Sequence, residues 1–458
     1  MIYKSGVDTS PSPLPRIARP NRAARKLTLS MLIAATYFMV AGGPYGLEDL
    51  IGRTGYRAVF AVLLLTPLLW SLPTALMVSE LATALPEEGG FYVWVSRALG
   101  PFWGFQEAWL SLAGSIFDMA LYPTLVVGYL QRFAPQVTAG YRAWVIELLV
   151  IFVCTAWNIV GAHAVGEGSV WLNALLLSPF LVMVGLAVAR APAPAATLAP
   201  IHPDLLGGIV IAMWNYMGWD NLSTVAGEVD RPQRTYPLAM LGALLLVEAS
   251  YVLPVAAAAH AHVRMDVWAT GGWVDAGRSV GGPLLAMAVA AAGVIGAVGS
   301  FGTLMLSLTR LPSVMAEDGY QPRVFARVDA RTGAPWVSIV ACAIAWAVCL
   351  PLGFVSLLII DVLLTGLSIL LEFWALAALR IREPHLARPY RVPGGLAGTI
   401  AIGLPPLGLV ILSLVRSKSE EVGATNELML ALGIIAFGVV LYFLAAGSRR
   451  RTAARKTR

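Results

Sequence analysis

Long apolar stretches, separated by short polar segments, cover almost the whole chain. A helix needs about 20 mostly apolar residues to cross the hydrocarbon core of a bilayer. Stretches of this kind can be counted at residues 27–51, 56–84, 98–130, 142–160, 167–189, 206–227, 236–259, 282–310, 335–352, 354–380, 396–415 and 426–446. The pattern predicts an all-α integral membrane protein with about twelve transmembrane helices.

The first and the sixth of these stretches contain residues that interrupt a helix. The stretch 27–51 is broken by GGPYG at 42–46, and the stretch 206–227 by YMGW at 216–219. In hydrocarbon every backbone N–H and C=O needs a partner, so unwound backbone at membrane depth is stable only where it lines a cavity. Paired interruptions in matching positions of two halves are typical of the binding site of a secondary transporter.

The positions of the two breaks also predict an internal symmetry. They are five predicted spans apart, an odd number, so spans 1–5 and spans 6–10 must run in opposite directions through the membrane. We therefore predict a five-plus-five inverted repeat, residues 27–190 and 206–380, with helices 1 and 6 broken at the midplane. Helices 11 and 12, residues 396–446, then lie outside the repeat.

Composition agrees with a membrane protein and excludes a soluble one. Only 13% of the 458 residues are charged and 58% are hydrophobic, whereas soluble domains carry roughly 25% charged residues. The net charge of +6 does not indicate nucleic-acid binding, because an inside amino terminus places most Lys and Arg residues on the cytoplasmic side, as the positive-inside rule requires. We predict a multi-pass plasma (inner) membrane protein with both termini cytoplasmic, a disordered basic arm at 1–26 and a basic tail at 447–458, both near lipid.

The sequence offers no enzyme or metal chemistry. The three cysteines, Cys154, Cys342 and Cys349, lie in apolar stretches without metal-ligand or redox spacing. There is no Ser/His/Asp set and no phosphate loop, so we predict neither an enzyme nor a bound cofactor. Whether the chain is a monomer or a homodimer is left open.

Carboxylates stand next to both breaks. Glu48 and Asp49 follow the first, Asp220 follows the second, and Asp118 lies in the middle of the third span. Because an ionisable group inside a membrane is costly, it indicates function by default. The alternative is structural: Glu48, Asp49 and Asp220 would cap half-helices, and Asp118 would bond to a broken helix.

Two further elements complete the candidate site. The backbone of Gly42, Gly43, Pro44, Tyr45 and Gly46 is predicted to expose N–H groups at the start of a half-helix, a positive dipole end. A cationic ligand also needs an aromatic wall for cation–π contact. The residues beside the breaks that provide one are Tyr45, Tyr216 and Trp219.

Several motifs resemble those of the amino acid–polyamine–organocation superfamily, over roughly residues 27–395. They include GGPYGLEDLIG (42–52), ELATALPEEGGFYVWVSRALGPFWGFQEAW (80–109), FDMALYP (117–123), WNYMGWDNLSTVAGEVDRPQRTYP (214–237), MAEDGYQP (315–322) and LEFWALAALRIREPHLARPYRVPGG (371–395). The narrower motifs resemble the polyamine uptake transporters. The resemblance implies the twelve-helix inverted-repeat fold and proton-driven uptake of amines or amino acids.

The resemblance also assigns roles to particular residues. Trp214 matches an aromatic gate, and Asp220 stands where related exchangers use a Glu to bind the distal amine. Where those exchangers have a Trp on helix 8, this chain offers Phe301 or Leu304. Two functions of one fold follow: uptake of polyamines or other cationic amines, or permeation of zwitterionic amino acids by proton symport or exchange.

The coupling ion is less constrained. Some relatives place a Lys on helix 5, but no Lys occurs between Lys26 and Lys418. The proton candidates are therefore Glu48, Asp49, Asp118 and Asp220. A sodium site at the helix 8 hydroxyls is less favoured; it would use Ser300, Thr303 or Ser307.

Other acids complete the predictions. Asp361 and Glu372 are three turns apart on helix 10 and are candidates to face the bundle interior. Acids at the cytoplasmic ends are predicted to pair with Arg97, Arg231 or Arg310; they are Glu80, Glu228 and Glu317.

Overall fold

The chain folds into a bundle of helices. The computed structural model describes residues 26–189, 204–350, 354–417 and 424–456, and within these ranges no β-strand occurs. An isolated parallel bridge joins Leu27 to Val229. Nearly all of the predicted arm at 1–26 lies outside the described residues.

The helices follow the predicted spans closely. In chain order they are α1 (Leu29–Val40), α2 (Glu48–Thr66), α3 (Leu72–Ala84), α4 (Gly90–Leu99), α5 (Pro101–Phe133), α6 (Tyr141–Val160), α7 (Ala162–Val188), α8 (Leu205–Asn215), α9 (Pro232–His260), α10 (Gly272–Leu308), α11 (Arg310–Glu317), α12 (Trp336–Cys349), α13 (Phe354–Arg382), α14 (Gly395–Ser417) and α15 (Ala424–Lys456). A π-helical turn, Pro67–Ser71, joins α2 to α3, and short 3-10 turns lie at Asn221–Glu228, Met265–Val267 and Arg323–Ala326.

Nine helices in the described part of the chain are long and apolar enough to cross a membrane. Three predicted spans instead correspond to shorter apolar helices, namely α1, α8 and α12. In α1 and α8 the reason is local, because each helix stops at the break that the sequence predicts. The chain is thus a multi-pass membrane protein, while the crossing number of twelve stays a prediction.

Two glycines mark kinks that separate a short helix from a long one. Gly55, with φ 75°, divides the turns that follow the first break from the rest of α2. Gly282, with φ 78°, divides an outer helix from the predicted eighth span within α10. Only glycine adopts this left-handed region without strain, so both kinks depend on the glycine at that position.

Helix α5 lies near the centre of the bundle, where it packs along α10 and α13. Helix α1 packs against α7, α9 and α10, and the start of α2 packs against α8. Helix α15 lies at the periphery, with only 11% of its most apolar stretch buried. It continues as a helix to Lys456, so most of the predicted basic tail is helical.

Ion pairs join the ends of helices predicted to be cytoplasmic. Glu228 pairs with the buried guanidinium of Arg310 at 3.1 Å, as the sequence suggested. Glu80 pairs with Arg380, in the last turn of α13, at 2.5 Å and with Arg388, in the loop after α13, at 3.3 Å. The predicted partner of Glu80 was Arg97, Arg231 or Arg310, so that prediction was wrong.

Candidate functional site

The first break is a stretch of unwound backbone between Val40 and Glu48. Three of its glycines have positive φ: Gly42 (59°), Gly43 (99°) and Gly46 (94°). Side chains other than glycine rarely adopt these angles. The glycines therefore allow the chain to leave the helix, turn and re-enter it.

The side chain of Glu48 provides a hydrogen-bond acceptor for the unwound backbone. One oxygen of its carboxylate accepts a hydrogen bond from the backbone N–H of Gly46 at 2.7 Å, and the other from the hydroxyl of Tyr129 at 2.5 Å. The side chain is 1% exposed. Glu48 thus occupies one of the backbone amide donors of the first break.

The second break touches the first. Helix α8 ends at Asn215, and Gly218 has φ 95°. A Cβ atom at Gly218 would lie 2.3 Å from the carbonyl oxygen of Met39, so only glycine lets the two backbones approach this closely. The breaks, 175 residues apart in sequence, are neighbours in space.

A cavity with an empty volume of about 510 Å³ lies beside the two breaks. Its lining includes three aspartates from three different elements: Asp118 on α5, Asp220 after the second break, and Asp361 on α13. Within the described part of the chain, none of the three forms an ion pair.

Asp118 is held by two aromatic side chains. The indole N–H of Trp214 donates to its Oδ1 at 3.1 Å, and the hydroxyl of Tyr122 donates to the same atom at 3.3 Å. The rings of Tyr122 and Trp214 lie 6.4 Å apart and line the cavity. They provide apolar faces beside a carboxylate, the arrangement that a cation–π contact requires.

Asp220 and Asp361 have more free acceptor capacity. Asp220 is 5% exposed, and among the described residues its Oδ1 has no hydrogen-bond partner. Asp361 accepts from the hydroxyl of Thr365 at 2.9 Å. A buried carboxylate oxygen without a donor is costly, so the Oδ1 of Asp220 has acceptor capacity that no described residue uses.

A second, smaller cavity of about 260 Å³ lies on the other side of the aromatic pair. Tyr122 and Trp214 border both cavities. Its lining also contains Gly42, Tyr45 and Ser300. Tyr45 donates its hydroxyl hydrogen to the carbonyl of Val289 at 2.6 Å, so its ring, but not its hydroxyl, is available there.

Several predicted site residues lie outside both cavities. Tyr216 and Trp219 are fully buried; the Tyr216 hydroxyl donates to Leu63 and Glu248, and the Trp219 indole donates to the carbonyl of Tyr216. Asp49 accepts from the Thr270 hydroxyl at 3.4 Å. Also outside the cavity linings are Gly43, Pro44, Gly46 and Glu48. The structure thus gathers Asp118, Trp214 and Asp220 in the larger cavity and places Gly42 and Tyr45, with Trp214, in the smaller one.

The structure adds polar residues that the sequence reasoning did not single out. Ser111 and Ser115 on α5 and Thr365 on α13 line the larger cavity, and Glu107 lies next to Ser111 on the same helix. The signal was present in the sequence, because positions 107, 111, 115 and 118 recur at helical spacing and mark one polar face.

The helix 8 positions are occupied in other ways. Ser307 donates to Asn221 at 2.7 Å, and Thr303 donates to the carbonyl of Gly299 in its own helix. Leu304 lines the larger cavity, whereas Phe301 packs on Trp346. In the described residues no group of three His, Cys, Asp or Glu side chains is arranged to hold a metal ion.

Sequence comparison relates this chain to known transporters. A family profile described as amino acid permease matches residues 27–446. The chain is 38% identical to a "probable polyamine transporter" of Arabidopsis thaliana, over 91% of this chain and 86% of the relative. It is 34% identical to a polyamine transporter of Oryza sativa subsp. japonica, over 92% and 78% respectively. A polyamine transporter of Arabidopsis thaliana is 32% identical over 88% and 83%.

Proposed function

Since this chain belongs to the amino acid permease family, we propose that it is a secondary active transporter taking up polyamines or other cationic amines. It is a multi-pass membrane transporter rather than an enzyme. The similarity to proteins named polyamine transporters supports the substrate class.

The observation that carries the proposal is the charge of the cavity. Asp118, Asp220 and Asp361 line it without a cationic partner in the described part of the chain. A bound diamine supplies the missing countercharge, and the aromatic faces of Tyr122 and Trp214 surround its methylene groups. Ammonium–carboxylate hydrogen bonds are roughly twice as strong as neutral ones, so the cavity favours an amine over a neutral solute.

The topology and coupling belong to the same proposal. The chain crosses the plasma (inner) membrane twelve times with both termini in the cytoplasm, and its two five-helix repeats rock around the shared site by alternating access. A proton is the coupling ion, carried by one of the cavity aspartates. Contact between the two breaks at Gly218 and Met39 supports a single central site.

The alternative of a zwitterionic amino-acid permease has less support. Such a substrate needs the free N–H groups of the first break for its carboxylate. The Gly46 N–H is already bonded to Glu48, and three further carboxylates line the cavity and would repel the substrate anion.

Uptake into proteoliposomes tests the proposal. Purified protein is reconstituted, and uptake of labelled putrescine and spermidine is compared with uptake of leucine and alanine, with and without an inward proton gradient. We expect saturable amine uptake that the gradient accelerates. Saturable leucine uptake without competition by amines would establish the alternative instead.

A further inference from the structure

Helices α5 and α13 face each other with two pairs of carboxylates at two levels. Asp118 on α5 and Asp361 on α13 form what we call the outer pair, and Glu107 and Glu372 form the inner pair. In each helix the two acids are eleven residues apart, about three turns or 16 Å along the axis. The helices run antiparallel in the predicted topology, so equal spacing brings both pairs into register.

Contacts between the helices support this register. At the outer level, a Cβ atom on Gly114 of α5 would lie 3.2 Å from the Oδ1 of Asp361. At the inner level, the Ser368 hydroxyl of α13 donates to the Oε1 of Glu107 at 2.6 Å. Each pair therefore lies at a close approach of α5 and α13.

The inner pair is buried and incompletely satisfied. Glu107 and Glu372 are both 0% exposed. In the described part of the chain, the Oε2 of Glu107 and both oxygens of Glu372 have no hydrogen-bond partner, and neither side chain forms an ion pair. Both interact electrostatically with Asp220, which lines the cavity. Carboxylates buried together in this way need a positive countercharge or protons.

The large cavity and the inner pair are neighbours through Ser111. Ser111 lines the cavity, and its hydroxyl donates to the Oε1 of Glu107 at 3.1 Å and lies 2.9 Å from the Ser368 hydroxyl. The inner pair thus lies one helical turn beyond the cavity lining, behind two small hydroxyl side chains.

We propose that Glu107 and Glu372 form a second ammonium-binding subsite, so that the site binds long linear polyamines with charged ends at two levels. This inference rests on the proposed function. An extended chain covers about 3.8 Å in three bonds, so the nine bonds between the end nitrogens of spermidine span about 11 Å and the thirteen of spermine about 16 Å. Putrescine, with five bonds, spans about 6 Å and is too short to join the outer pair to the inner pair.

Glu107→Gln and Glu372→Gln test the subsite, because each removes a charge and keeps the shape. Reconstituted variants are compared for competition by putrescine, spermidine and spermine against labelled putrescine. We expect the apparent affinity for spermine to fall about tenfold or more, as loss of a charge-assisted bond implies, with that for putrescine unchanged. Glu147→Gln, which neutralises a buried acid on α6, is the matched control and should change neither.

The outcomes separate this inference from the proposed function. A wild type that transports no amine defeats the proposed function. If the wild type transports amines but the variants lose affinity for putrescine and spermine equally, or lose affinity for neither, only the proposed subsite is refuted. Loss of gradient dependence without a change in length preference would assign the inner pair to proton carriage and overturn the inference.

A measurement on the wild type alone guards against variants that do not fold. Ligand-dependent thermal stabilisation should increase from putrescine to spermidine to spermine at equal concentration. Equal stabilisation by all three amines would also overturn the inference.

Discussion

Asp220→Asn is the most direct perturbation of the site, because it removes one charge and almost no volume. Asp220 is 5% exposed and lines the cavity, and its Oδ1 lacks a partner among the described residues. The native charge is therefore poorly compensated without ligand. We expect the unliganded variant to be as stable as the wild type or more stable, since it no longer buries an unpaired carboxylate.

The expected loss of binding follows from the bond that the ammonium loses. A hydrogen bond to a charged group contributes about 1.5–3 kcal/mol. At 1.4 kcal/mol per tenfold, this corresponds to roughly 12- to 150-fold weaker amine binding. Asp118 and Asp361 remain in the cavity, so binding should weaken rather than disappear.

Two assays measure the two effects. The midpoint of thermal unfolding without ligand reports stability, and its increase with putrescine reports binding. Asp266→Asn is the matched control, because Asp266 is an exposed loop residue paired with Arg264. It should leave amine stabilisation unchanged.

The reasoning fails on a clear result. If Asp220→Asn keeps its putrescine affinity within about twofold, Asp220 does not contact the amine. If the unliganded variant unfolds at a much lower temperature, the carboxylate is a structural cap, the alternative that the sequence left open.

Three other predictions concern the rest of the site and its support. Trp214→Ala should weaken amine binding more than Trp214→Phe, by a factor of roughly 2 to 30. Only the alanine variant loses the aromatic face for the cation–π contact, which contributes about 0.5–2 kcal/mol. Equal apparent amine affinities of the two variants in proteoliposome uptake would show that Trp214 does not provide an aromatic wall. Gly218→Ala should abolish uptake or prevent folding, because φ is 95° at this position and the new Cβ would lie 2.3 Å from the Met39 carbonyl oxygen. Gly185→Ala is the control, because nothing lies within 4 Å of a Cβ at that position. Normal uptake by Gly218→Ala would refute the close contact of the two breaks. Glu383→Gln should lower the free energy of unfolding by only about 0.2–1 kcal/mol, because the pair of Glu383 with Arg97 is exposed. The hydrogen bond from Arg97 lowers the pKa of Glu383, so this stabilisation is present at neutral pH and is lost as pH falls below about 4.5. A stability difference between variant and wild type that grows at low pH would contradict this prediction.

The sequence was sufficient to predict the helices, because helix formation depends on residues that are close together in the chain. Apolar length, together with the need to satisfy every backbone polar group, leaves little choice but helices at membrane depth. The breaks were equally visible, because Gly42, Gly43, Gly46 and Gly218 adopt positive φ that other residues avoid. The residues that follow the breaks, Glu48 and Asp220, were correctly identified as buried carboxylates.

Their separate roles were not predictable from the sequence. Glu48 and Asp220 both follow a break, yet Glu48 bonds to Gly46 and Tyr129, while Asp220 lines the cavity and has an oxygen without a partner among the described residues. The difference depends on Tyr129, 81 residues away on α5. Likewise Tyr216 and Trp219 are aromatic residues beside a break, but both lie outside the cavity: the Tyr216 hydroxyl bonds to Glu248 on α9, and the Trp219 indole bonds to the carbonyl of Tyr216.

The sequence by itself determined that this protein is a helical membrane protein and where its helices break, because these properties arise from residues close together in the chain. The tertiary structure alone decided which acids share a cavity. Asp118, Asp220 and Asp361 come from three elements far apart in sequence, and only the packing of α5 against α13 beside the second break brings their charges to one place. Electrostatic interaction depends on distance in space, and that distance is fixed only when the bundle has assembled.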